Sequence, residues 1–120
     1  MQAVLKGLFS TDIADVESYL PEREDNFGFV LRAKVGPLSE PGEVSFDITV
    51  CTPKWLIEKH EDSDVLLGLH KLIIFKYDYP ALRKFIEKYL IRCSGDSWPE
   101  VAQKVSLLGQ WEFEGYRPKY

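Results

Sequence analysis

Cys51 and His60 fall inside one stretch, "SFDITVCTPKWLIEKH" at 45–60. A cysteine nucleophile needs a nearby base and a third group that orients that base. No third member stands at a defined spacing, and no glycine-rich loop is present to form an oxyanion hole. Alternation along a strand puts Cys51 on the side opposite Val44, Phe46, Ile48 and Val50, unless the turn into Pro53 rotates it inward. The residues favour a small packed thiol beside a helix cap over a nucleophile.

A second group, Glu58, His60, Glu61, Asp62 and Asp64, carries metal-ligand side chains. Its spacing matches neither the two-histidine helix motif of zinc enzymes nor the glycine-containing calcium loop. A solvated acidic loop is the expectation, with no metal and no cofactor. His70, beside Lys71, reads as a surface or hydrogen-bonded histidine.

Tyr77 and Tyr79 flank Asp78 in "KYDY". Asp78 suits a helix cap and the tyrosines suit packing, but tyrosine also supplies contact area at low entropy cost in binding surfaces. Acidic side chains gather in two places: Glu17, Glu22, Glu24 and Asp25 in the first, and Glu58, Glu61, Asp62 and Asp64 in the second. If both lie at one end of a sheet, they form a negative rim that speeds capture of a basic protein. Glu22, Glu24, Asp25, Glu58, Glu61, Asp62, Asp64, Tyr77 and Tyr79 are therefore the candidate partner-binding residues.

The bulk properties are those of an ordinary soluble globular chain. In 120 residues, 15 Lys and Arg stand against 19 Asp and Glu, a formal net charge of -4. Nucleic acid is disfavoured as a ligand, since phosphate binding needs a basic face. No apolar run approaches the roughly 20 residues that span a bilayer, and "MQAVLKGLFSTDIADVE" has no signal-peptide pattern, so a soluble cytoplasmic chain is expected. Two cysteines are too few for a disulfide framework and read as reduced thiols. The length suits one domain over 1–120.

The elements that position these residues follow from periodicity. "QAVLKGLFS" (2–10) reads as a strand, and "TDIADVESYLPERED" (11–25) as a turn or short helix. "FGFVLRAKVG" (27–36) and "VSFDITV" (44–50) alternate as an antiparallel hairpin with one wet face. Thr52 and Pro53 start a short helix, "PKWLIEKH". After the polar "EDSD", "LGLHKLIIFKY" (67–77) reads as a central, well-covered strand. Asp78 caps the strongest helix, with Leu82, Phe85, Ile86, Tyr89, Leu90 and Cys93 at helical spacing. "SWPE" (97–100) reads as a capping box in which Ser97 and Glu100 exchange bonds, opening a helix to about Leu108 with Val101, Val105 and Leu108 inward. "QWEFEGY" adds a brief strand or lays Trp111 and Phe113 over the core edge, and "RPKY" is a loose tail. The expected fold is α+β: an antiparallel sheet of four to five strands, a short helix after the third, and two C-terminal helices on one face.

"FGFVLRAKVGP", "SFDITVCTPKWL", "HKLIIFKYDY" and "GDSWPEVAQKVSLLGQWEFEGY" closely resemble the Immunity protein 8 family of bacterial polymorphic toxin and contact-dependent growth inhibition systems. The likeness runs from Leu5 to Tyr116, and "VCTPKWL" with "FKYDY" is its most specific part. The resemblance implies a cytoplasmic protein, not an enzyme, that binds and neutralises the C-terminal domain of a cognate toxin, a nuclease being one such toxin. The matched residues themselves look structural: Trp55 and Phe46 as core, Thr52, Pro53 and Asp78 as caps. A small adaptor or oligomerisation domain and a Cys/His hydrolase are the other classes the residues admit.

Overall fold

The computed structural model describes residues 1–112. Its sheet runs β1 (Ala3–Phe9), β2 (Gly28–Pro37), β3 (Val44–Cys51), β4 (Lys71–Ile73), and β5 (Gln110–Trp111) also pairs with β3. Three helices complete the chain: α1 (Pro53–Lys59), α2 (Tyr79–Ile91) and α3 (Trp98–Val105). The class is α+β, as the alternation and helical spacing predict.

The β2–β3 hairpin pairs without a break from Gly28↔Cys51 to Val35↔Val44. Its inward side chains, Phe29, Leu31, Ala33, Val35, Phe46, Ile48 and Val50, are all buried, and they form one core with Leu82, Ile86 and Leu90 of α2 and Val101, Ala102 and Val105 of α3. Period two on the strands meets period three to four on the helices, and each large side chain removed from water contributes roughly 1.5–3 kcal/mol. On the wet face, Arg32 and Asp47 form a bidentate pair with bonds of 2.8 and 3.1 Å.

Thr52 ties the hairpin to α1. Its buried Oγ accepts from the amide of Trp55 at 3.4 Å and from that of Phe27 at 3.1 Å, while its own amide donates to the Phe27 carbonyl at 3.0 Å. The Thr-Pro start is thus both a helix cap and a strand clamp. Cys51 keeps its place in the register, paired with Gly28 and Ile73, and is fully buried without joining the shared core.

The 67–77 segment departs from expectation. Only Lys71–Ile73 is strand, and it lies parallel to β3 at the rim of the sheet rather than at its centre. A parallel neighbour requires the chain to cross back, which α1 and the 60–70 loop do. The strand is short because its side of β3 is shared: β5 occupies Phe46 and Asp47, and β3 ends at the Thr52 cap, so Thr49–Cys51 alone remain.

Three smaller expectations also change, and residues 11–25 take the turn rather than the helix alternative. Trp55 is half-buried, because α1 buries no residue fully and lies across the end of the sheet. Its indole covers Gly28, where a Cβ would come within 2.3 Å of the ring, so the glycine is the socket for the tryptophan. Phe85 points out of α2 into solvent. Ser97 makes no side-chain cap bond; Glu100 instead accepts the Asp96 amide at 3.0 Å, a half-formed box. Trp111 stacks on Phe46, whereas Phe113 and the "RPKY" tail lie outside the described residues.

Candidate partner-binding surface

Asp78 caps α2 as expected, its Oδ1 accepting from the Ala81 amide at 3.1 Å. Tyr77, just before it, turns inward and meets Tyr19, Phe27 and Phe29 edge-on, with ring centroids 5.0, 5.9 and 5.9 Å away. Its hydroxyl donates to the Val16 carbonyl and so pins the strandless 10–26 segment to the core. Burial, and then the neighbouring Tyr79, Tyr19 and Asp15, push the Tyr77 hydroxyl up to about 12. Tyr79 is half-buried, its hydroxyl accepting from Arg83 at 3.2 Å.

The two acidic groups meet in part. Asp25 approaches Lys54 at 3.9 Å, and Asn26 donates to Glu58 at 2.7 Å, so the loop before β2 lies against α1. Glu22 borders a polar hollow of about 400 Å³ there, beside Asn26 and Trp55. Glu24 is exposed nearby. Glu61 and Asp64 border a separate open hollow with Ile57 and Leu66, and Asp62 is exposed between them. Among the described residues, no hydrogen bond or ion pair joins Glu61, Asp62 or Asp64 to the Glu22–Asp25 group.

Sequence reasoning missed the apolar surface that follows. After the acids come exposed Val65 (87%) and Leu67 (80%), then Ile73 (48%) and Phe75 (79%) at the sheet rim, and Phe85 (53%) on α2. Between β4 and α2 runs a groove of about 430 Å³, lined by Leu72, Ile74, Phe75, Ala81, Leu82 and Phe85. Isolated exposed apolar residues such as Val65 and Leu67 are ordinary, whereas Ile73, Phe75 and Phe85 gather around one groove, the arrangement typical of contact surfaces. The signal lay in the stripe of α2: Leu82, Phe85, Ile86, Tyr89 and Leu90 span a wider arc than one core contact needs.

Cys51 and Cys93 are both buried, and burial pushes both thiols up, away from the thiolate a nucleophile requires. Among the described residues, no group of three His, Cys, Asp or Glu side chains stands close enough to hold a metal. No helix of the described residues is long and apolar enough to cross a membrane.

A sheet with helices on one face and an apolar groove at its rim makes this a small α+β domain. The Immunity protein 8 family profile matches residues 3–116, and the chain belongs to that family. It is thereby an immunity protein, a class defined by pairing with a cognate toxin. No curated protein and no solved structure matches it.

Proposed function

We propose that this chain, acting as one domain over 1–120 in the cytoplasm, binds the C-terminal domain of its cognate toxin and neutralises it by occupying surface, with no bond made or broken. The observation that carries this reading is the groove between β4 and α2, where exposed Ile73, Phe75 and Phe85 gather beside Leu72, Ile74 and Leu82. Desolvated apolar anchors supply most of the free energy of a protein interface. The acidic side chains Glu22, Glu24, Asp25, Glu58, Glu61, Asp62 and Asp64, with Tyr79, form the polar rim, where charge sets the rate of encounter more than its strength. Tyr77 serves the surface by holding its scaffold.

Co-expression with the toxin domain encoded beside the gene tests the proposal. Growth is restored by the wild-type chain and by Cys51→Ser, since the thiol only packs. Failure of the wild type to protect, or loss of protection in a folded Cys51→Ser chain, overturns it. Charge reversal at Glu61, Asp62 and Asp64 slows association at low salt, and the difference shrinks as salt rises.

A further inference from the structure

The outer side of β4 has the chemistry of an unfilled strand position. In a parallel ladder, alternate residues direct both main-chain groups to the same neighbour. The His70 carbonyl accepts from Thr49 and the Ile74 amide donates to Cys51, each at 2.9 Å, within the register Thr49↔Lys71, Val50↔Leu72, Cys51↔Ile73. Leu72 and Ile74 therefore face β3, and the N–H and C=O of Lys71 and Ile73 face away from it. Among the described residues, no hydrogen bond engages those outward groups. Beside them the groove between β4 and α2 offers Ile74, Leu82 and Phe85 as apolar walls.

Resting on the immunity reading above, we propose that the toxin domain binds by adding an extended segment to the outer edge of β4, continuing the sheet by one strand. Alternate side chains of that segment enter the groove while its main chain pairs with Lys71 and Ile73, the strand-addition mode of recognition. The charges at the edge define the segment further. Lys71 opens β4 and Lys76 borders the groove, and the one acidic side chain lining it, Asp78, is engaged in capping α2. The fitting segment is apolar at alternate positions, with a carboxylate in reach of one of these lysines. A second copy of this chain fits less well, because edge-to-edge pairing brings both sets of lysines to one seam.

The amide of Ile73 can be removed without touching the β3 ladder. Proline is tolerated on an edge strand where its missing N–H faces outward, so Ile73→Pro is compared with Ile73→Ala, which keeps the amide. Against the adjacent-frame toxin domain, Ile73→Pro weakens Kd roughly tenfold or more relative to Ile73→Ala, the cost of a partner carbonyl left unpaired. Hydrogen exchange on the wild-type complex provides a second readout that needs no variant: the Ile73 amide becomes protected on binding. Equal Kd for the two variants together with unchanged exchange at Ile73 overturns strand addition while the immunity reading stands. A wild-type chain that fails to bind the toxin domain removes both. Dimerisation of the isolated chain, lost in Ile73→Pro, assigns the edge to a second copy and also overturns the proposal.

Discussion

The two edges of the sheet are finished in opposite ways. On the β1 side the chain closes its own edge: the Ala3 amide donates to the Cys93 carbonyl at 3.2 Å, the Gly95 amide to the Met1 carbonyl at 3.0 Å, and Gln2 and Ser94 form an isolated bridge. A bulge between Leu5 and Gly7 breaks the flat run of β1. Lys6 reaches across to the turn carbonyls of Glu40 and Gly42 at 2.7 and 3.0 Å. These are the devices by which sheets avoid pairing with other chains. On the β4 side, the defences among the described residues are brevity and two lysines, and apolar side chains stand exposed beside them. One edge is tied back into the chain, and the other leaves the outward main-chain groups of Lys71 and Ile73 without a hydrogen bond among the described residues.

The sharpest break between them is one substitution made at both. Ala3→Asp places an unpaired carboxylate among core side chains and costs roughly 4 kcal/mol or more, enough to unfold a domain of this size. Ile73→Asp, at the exposed edge, changes stability by no more than about 0.5 kcal/mol. Thermal unfolding followed by circular dichroism reads both. A severe loss in Ile73→Asp shows that the β4 edge is part of the folding core and removes the contrast.

Next in size is Trp55→Ala, which loosens the helix that carries the chain from β3 round to β4. A fully buried tryptophan costs about 3–5 kcal/mol to truncate. With the indole resting half-exposed on Gly28, the loss is about 2 kcal/mol, and exchange of the Leu72 and Ile74 amides quickens because α1 no longer holds the crossover. Gln2→Ala acts at the closed edge. The Gln2 side-chain amide donates to the Leu90 and Ile91 carbonyls at the end of α2, both at 2.9 Å, and the Leu90 carbonyl also accepts the Cys93 amide. Its removal costs about 1 kcal/mol and frays the last turn of α2, with toxin binding unchanged.

The hairpin, the Thr52 and Asp78 caps and the inward stripes of α2 and α3 were legible because each depends on neighbours near in sequence. Alternation fixes which side of β2 and β3 is buried, and a Thr-Pro or Asp-x-Pro start names its own orphan amides. The rank of β4 was not legible. "LIIF" has the apolar content of a central strand, and the arrival of β5 on Phe46 and Asp47, from the far end of the chain, together with the end of β3 at Cys51, confines it to three residues at the rim. Trp55 was misplaced for a related reason: its spacing from Thr52 reveals the cap, but not that α1 lies across the sheet end. The acidic residues were found by charge alone. Which of them meet depends on the path of the 10–26 segment, whose anchor, Tyr77 on the Val16 carbonyl, leaves no periodic trace.

That anchor gives the smallest effect, and one that pH isolates. Tyr77→Phe removes one hydrogen bond, worth about 1 kcal/mol at neutral pH, and leaves the edge-on ring packing in place. The folded chain holds the Tyr77 hydroxyl at about 12, above the ordinary 10.0, so the unfolded chain loses this proton first as pH rises. The stability Tyr77 contributes is complete below pH 10 and falls away between 10 and about 12. Tyr19 and Tyr89 are raised in the same direction by burial and steepen the same decline. Urea midpoints measured from pH 9 to 11.5 drop for the wild type and drop less for Tyr77→Phe. Parallel curves show that the 10–26 segment is held by its packed rings alone. Because Tyr77 stands two residues beyond Phe75, the same variant asks whether the open edge keeps its shape when the tether behind it is cut. Unchanged exchange at Ile73 in the variant means that β4 is positioned by β3 and α2, independently of the loop that Tyr77 secures.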